Sequence, residues 1–152
     1  MRSIRSRAPA ASSPKVGMAM RRVRRAGTDV ETRLRRLLKK TSIIFRANHR
    51  PIRGLRIHAD FVLVEPRLCI FVDGCFWHGC KTHFKVPHTN NAWWQEKIED
   101  NRKRDRVQSG ALRRRGWHVW RVWEHTLAPA HFAATGRRLI SRILNLPRVT
   151  VG

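Results

Sequence analysis

Acidic residues are scarce in this chain. Ten Asp plus Glu stand against 33 Lys plus Arg in 152 residues, a formal net charge of +23. A surface so charged repels itself unless polyanion phosphates neutralise it, so a nucleic acid is expected as partner rather than solvent alone. Arginine supplies most of that charge, which suits bidentate phosphate contacts and stacking on bases better than lysine. Long apolar runs are also lacking: no segment approaches the ~20 residues needed to cross a bilayer, and no membrane association is expected. The opening MRSIRSRAPAASSPK has no apolar core of a secretory signal. Acid-free and rich in Arg, Ser and Ala, it mimics an organellar transit peptide but reads better as a disordered basic arm. Cysteine is sparse and odd in number, at three, with two residues spaced like metal ligands. An intracellular, reducing compartment, the cytoplasm, fits that usage.

The length suits one compact domain with tails. Residues 1–17, broken by Pro9, Pro14 and Gly17, form the arm; 18–146 form the domain; 147–152 form a C-terminal tail. Thr28 and Glu31 make a capping box with Asp29 in the first turn, and Val30, Leu34, Leu37 and Leu38 recur at helical spacing. A helix over 29–40 follows. Residues 43–46 read as a short strand. The apolar runs 57–64 and 68–72 flank Glu65-Pro66-Arg67 and predict a hairpin with a proline turn. A long helix over 91–115 ends at Gly116, with Trp94, Ile98 and Leu112 as an inward stripe. Asp105 lies seven residues from both Ile98 and Leu112, so a carboxylate sits on the inward face, out of place in a plain core helix. A strand over 117–123 and a closing helix carrying Leu139, Ile140, Ile143 and Leu144 complete the pattern. Strand 68–72, helix 91–115 and strand 117–123 make a β-α-β unit with parallel strands, beside the hairpin in a mixed sheet. Parallel strands end on one edge, so Asp73 onward should emerge together with Glu124 and His125.

That edge carries DGCFWHGCKTH over 73–83. Cys75, Cys80 and His83 form a C-x4-C-x2-H cluster, and His125 could supply the fourth ligand of a tetrahedral zinc site. The spacing is not that of a DNA-reading finger, and a structural zinc pinning the loop to the sheet is the preferred reading. A disulfide or free thiols are the alternative for the cysteines, and a surface residue the alternative for His125. Cys69 alternates within its strand and reads as core packing.

Metal-dependent phosphodiester cleavage needs a carboxylate for a magnesium ion, a base for water, and positive charge against the phosphate. Asp60 lies inside the apolar run HADFVLV, where an unpaired carboxylate is costly unless it faces water at an edge. Across the hairpin the Val72 carbonyl could be a second oxygen ligand. His78 follows Phe76-Trp77 with an imidazole suited to proton abstraction, and Asp105 could orient it.

DFVLV at 60–64, FVDGCFWHGC at 71–80, WWQEKIEDNRKRDR at 93–106 and GWHVWRVWEH at 116–125 resemble, in order and spacing, the very-short-patch-repair DNA mismatch endonucleases. The resemblance covers about residues 18–127. It implies a restriction-endonuclease-like α/β fold, a mixed sheet flanked by helices, with a structural zinc. It also implies magnesium-dependent nicking of duplex DNA beside a T·G mismatch, as deamination of 5-methylcytosine leaves.

Matched position by position, Asp60 corresponds to the magnesium ligand with the Val72 carbonyl beside it. His78 corresponds to the general base with Asp105 in support, and Cys75, Cys80, His83 and His125 to the zinc set. Glu31 matches a position bordering the active site, which its capping role explains equally well. Asn101 matches too, although its amide on this helix serves equally to satisfy a neighbouring backbone group. Phe76, Trp77 and Trp94 correspond to aromatics that intercalate beside the mismatch, and Met20 to a residue inserting from the opposite groove. Core packing is the competing reading for Trp77 and Trp94, and Trp93 is the adjacent alternative to Trp94. Asp73 stands where some relatives have histidine, the loop GLRIHAD lacks a proline-glycine pattern, and no lysine completes the usual restriction-enzyme acidic pair. A monomer in the cytoplasm, associated with the nucleoid and with other mismatch-repair proteins as candidate partners, is the expectation. The rivals are a non-enzymatic zinc-stabilised nucleic-acid-binding protein and a related nuclease that cuts another DNA structure. Asp60 and Asp105 argue against the binder, because acids facing phosphate do not help binding.

Overall fold

The computed structural model describes residues 29–147, together with the isolated Ala10 and Met18. Most of the expected arm, Met20, the Thr28 half of the capping box and the tail from 148 lie outside the described residues. Helix α1 spans 29–39, as its apolar spacing predicts, and buries Val30, Leu34 and Leu38. Strands β1 (Arg46–His49), β2 (Ala59–Leu63), β3 (Leu68–Asp73) and β4 (His118–Trp123) form one sheet in the order β1-β2-β3-β4. The first two pairings are antiparallel and β3–β4 is parallel, so the expected mixed sheet is found. Helix α2 (Asn91–Arg113) makes the crossover, a 3-10 turn covers Glu124–Leu127, and α3 (Pro129–Leu144) closes the described chain. None of these helices is long and apolar enough to cross a membrane.

Side-chain alternation on the strands sorts the core into two layers. Phe61, Leu63, Leu68 and Ile70 face α1, Leu127 and the Leu139/Ile143 stripe of α3. Val62, Cys69, Phe71 and Val119 face the other way, with Leu112 of α2. Cys69 is fully buried there, in keeping with the core reading. Each such side chain contributes about 1.5–3 kcal/mol when buried, so the two layers hold the sheet between helices.

Several boundaries differ from the sequence reading. The first strand begins at Arg46, opposite Val62, rather than at residue 43. Thr41 ends α1 by donating to the Leu38 carbonyl and accepting from the Ile43 N–H, which delays entry into the ladder. Ile43, Phe45 and Ala47 still alternate inward, with Phe45 edge-on to Phe61 at 5.7 Å. The second strand is shorter than 57–64, because Val64 already belongs to the turn closed by the Arg67 N–H to its carbonyl at 2.8 Å. Helix α2 stops before Gly116, whose φ of +78° turns the chain into β4.

The inward face of α2 is mostly polar. Its buried residues are Ile98, Asn101, Asp105, Ser109 and Leu112, spaced three and four apart. A helix that carries three polar side chains on its buried face needs polar partners on what it covers. Asn101 and Asp105 find theirs in the loop after β3, at the Trp77 carbonyl and the His78 imidazole, whereas Ser109 Oγ is buried without a hydrogen-bond partner among the described residues.

Candidate active site and metal cluster

At the Asp73 end, β3 and β4 leave the sheet side by side, with Asp73 opposite Trp123. The loop after Asp73 is tied to the chain after β4, since the Cys75 N–H donates to Glu124 Oε1 at 2.7 Å. Cys75, Cys80, His83 and His125 meet there, with their ligand atoms all within 4.8 Å of one another. Nδ1 of His125 lies 3.1 Å from Cys75 Sγ and 3.7 Å from Cys80 Sγ, and Nδ1 of His83 lies 3.9 and 3.7 Å from them. Zinc–sulfur and zinc–nitrogen bonds of about 2.3 and 2.0–2.1 Å in a tetrahedron imply S···N separations near ~3.6 Å. Three of the four distances match that figure closely. The three cysteines form no disulfide, so the pairing alternative is set aside. Burial pushes the Cys75 thiol up to about 12. At Cys80 burial acts the same way, but hydrogen bonds from His83 and from the backbone of Thr82 and His83 outweigh it and hold the thiol at about 7. The cluster could hold a metal ion.

Between its cysteines the loop is gripped by α2. The Asn101 amide donates to the Trp77 carbonyl at 2.8 Å, and Arg102 donates to the carbonyls of His78 and Gly79 at 3.4 and 2.6 Å. The backbone role for Asn101 is therefore realised. Gly79 makes the close approach possible: its φ is +62°, and a Cβ there would meet Ile98 Cγ2 at 2.6 Å and Arg102 Nη2 at 2.7 Å. Gly79→Ala is expected to destabilise the fold by about 2–3 kcal/mol, from overpacking and left-handed strain together. Urea unfolding measures it, and parental stability would mean that the loop does not pack on α2 as described.

This grip sets His78 against α2, where Nδ1 lies 2.5 Å from Asp105 Oδ2. A cleft of about 390 Å³ opens beside the pair, lined among others by Asp60, Val72, Asp73, His78, Asp105 and Arg121. Asp60 Oδ2 accepts the Val72 N–H at 2.7 Å, so the adjacent strand orients this carboxylate. Burial pushes the Asp60 carboxyl above the usual range, against the pull of that hydrogen bond. Glu31 of α1 is likewise raised, by burial first and then by the charge of Asp60. At Asp105 burial also acts upward, but the bond to His78 and the charges of His78 and Arg121 prevail and hold the carboxyl low. Asp60 and Val72 line the same cleft, and a carboxylate with a main-chain carbonyl is a donor set that suits a hard cation.

Arg121 was not legible from residue type. On β4 it reaches across to Asp73, with Nε and Nη2 at 2.7 and 2.6 Å from the two carboxylate oxygens. The alternation in WHVWRVW and the parallel register, which sets Arg121 beside Phe71, were the available signals.

On the other side of the loop, Phe76 packs edge-on against Trp77, Phe84 and Trp94 at 5.2, 5.6 and 5.1 Å. Trp93 packs on Trp94 at 4.7 Å. Phe76, Trp77 and Trp94 are half-buried, belonging neither to the two core layers nor to open solvent.

A model of the DNA mismatch endonuclease Vsr family matches residues 12–83. The DNA mismatch endonuclease Vsr of Escherichia coli (strain K12) is 40% identical over 109 residues, covering 71% of this chain and 68% of that protein. The type II nicking enzyme V.NaeI of Lentzea aerocolonigenes is 39% identical over 104 residues, covering 67% of this chain, and the match spans 63% of that enzyme's own length. The type II nicking enzyme V.XorIIP of Xanthomonas oryzae pv. oryzae is 37% identical over 111 residues, covering 72% and 79% of the two chains. With this identity over more than two thirds of both chains, the chain belongs to the Vsr family of DNA endonucleases.

Proposed function

We propose that this chain nicks one strand of duplex DNA beside a T·G mismatch, as the first step of very-short-patch repair of deaminated 5-methylcytosine. The observation that carries the reading is the His78–Asp105 pair facing Asp60 across one cleft, with His78 on the same loop that carries Phe76 and Trp77 of the half-buried aromatic blade. Asp60 and the Val72 carbonyl would hold magnesium, which when bound offsets charge on the scissile phosphate. His78 accepts the proton of the attacking water at Nε2, because Asp105 occupies Nδ1. Cys75, Cys80, His83 and His125 would hold zinc, whose part is to keep the loop rigid. Phe76, Trp77 and Trp94 enter the base stack, and Met20 would enter from the other groove. Unstacking costs a few kcal/mol per step and least at a mismatch, so insertion itself discriminates. The excess of 33 basic over 10 acidic residues holds the backbone and makes binding strongly salt-dependent. The protein would act as a monomer on nucleoid DNA in the cytoplasm, alongside other mismatch-repair proteins.

A nicking assay on matched, T·G and other mismatched duplexes, with and without magnesium, tests this. The expected result is magnesium-dependent nicking of one strand, fastest on T·G. Equal cutting of matched duplex would remove the mismatch reading. Binding without cutting under every condition would leave only the non-enzymatic rival.

A further inference from the structure

Arg121 joins two acids that lie far apart in sequence. Its guanidinium stands over the Phe71 ring, 4.8 Å from the centroid. Nε and Nη2 hold both oxygens of Asp73, and Nη2 also lies 3.2 Å from Asp105 Oδ1. The other Asp105 oxygen meets His78 Nδ1. The Asp105 carboxylate is thus held from both sides, by an imidazole and by a guanidinium.

We propose that Arg121 is a positioning residue for His78, acting through Asp105 and through Asp73. The inference rests on the nuclease reading of His78. Two physical points support it. The terminal torsion of an aspartate is broad and roughly two-fold, so one bond to His78 does not fix the carboxylate plane, whereas that hydrogen bond on Oδ2 opposed by the Arg121 ion pair on Oδ1 does. Asp73 is also a competing acceptor, because its Oδ1 lies only 3.9 Å from His78 Nδ1. Arg121 occupies both Asp73 oxygens and leaves the imidazole to Asp105 alone. The proton then stays on Nδ1, and Nε2 is the free nitrogen. Lysine cannot do this, since a single ammonium has neither the planar fork for Asp73 nor the reach to Asp105 at the same time.

The test uses the full chain with R121K and the double variant D73N/R121M. The double variant avoids leaving Asp73 buried without a partner, which by itself endangers folding. In both, kcat for nicking the T·G duplex is expected to fall about tenfold or more, as for a misoriented base. KM and the Kd for duplex should stay within about twofold, because the blade and the metal cluster are untouched. In the free protein, at a pH where the imidazole is neutral, the His78 ring ¹⁵N shifts should move from one Nδ1-protonated tautomer to a mixture. An unchanged kcat with unchanged shifts overturns the proposal. So does a fall in affinity with a shallower salt dependence, which would make Arg121 a phosphate contact. If the parent protein nicks no mismatched duplex, the functional reading fails, and the nitrogen shifts still decide what Arg121 does.

Discussion

His78→Ala is expected to lower the nicking rate by about 10²–10⁴-fold while leaving affinity for the T·G duplex within about twofold. The size follows from what the imidazole alone supplies. It is the basic side chain of the cleft paired to a carboxylate through Nδ1, at 2.5 Å from Asp105. Binding should survive because the backbone at His78 is held independently of its ring. The His78 N–H donates to the Gly74 carbonyl at 3.1 Å, and its carbonyl accepts from Arg102. Single-turnover nicking with saturating magnesium measures the chemical step, and a salt titration of binding measures the rest. Asp105→Asn should fall between parent and His78→Ala, because the amide keeps an acceptor but can also turn a donor toward Nδ1. Parental nicking by His78→Ala would move the base to another residue and leave the His78–Asp105 pair as a structural contact.

The second large effect is expected from the metal cluster. Protein purified without chelator should carry about one tightly bound zinc per chain, and Cys80→Ala should carry none. Cys80→Ala should also lower the midpoint of thermal unfolding by roughly 10 °C, as loss of a structural ion removes several kcal/mol. The reason lies in the chain. Residues 74–90 contain no strand or regular helix, and their course depends on a few long-range ties. One tie joins Cys75 to Glu124, two come from Asn101 and Arg102, and the cluster joins residues 75–83 to 125. With the cluster lost, Phe76 and Trp77 keep their sequence neighbours but lose a rigid base. Discrimination between T·G and matched duplex should therefore decline more than general DNA affinity, which rests on distributed positive charge. Metal analysis that finds no zinc in the parent protein, or a Cys80→Ala variant that melts with the parent, would contradict this account.

Much of the architecture was legible in the sequence. Apolar spacing placed α1, the hairpin and α2 within a few residues and indicated a closing helix without its start, and the β-α-β order implied the parallel β3–β4 pair. From that pair alone came the expectation that the chain after Asp73 and the chain at His125 leave one edge, and the four donor atoms do meet there. The misplaced start of β1 shows the limit. Ile43 and Phe45 have strand character and pack inward, yet ladder pairing waits until the Thr41 turn has been passed. Asp105 was noticed because a carboxylate on a buried face has to be partnered. Asn101 and Ser109 continue the same polar stripe, which makes the face of α2 a surface for the loop rather than for the sheet alone.

The sequence by itself determined the elements, the shared exit edge and the large positive charge, because periodic burial and net charge are local or additive properties. Only the tertiary structure decided that Arg102 grips the loop carbonyls, that Gly79 has no room for a methyl group, and that Arg121 joins Asp73 to Asp105. These are pairings between residues far apart in the chain, set by strand register and rotamer to within an ångström or so. Residue type and spacing carry no such distances.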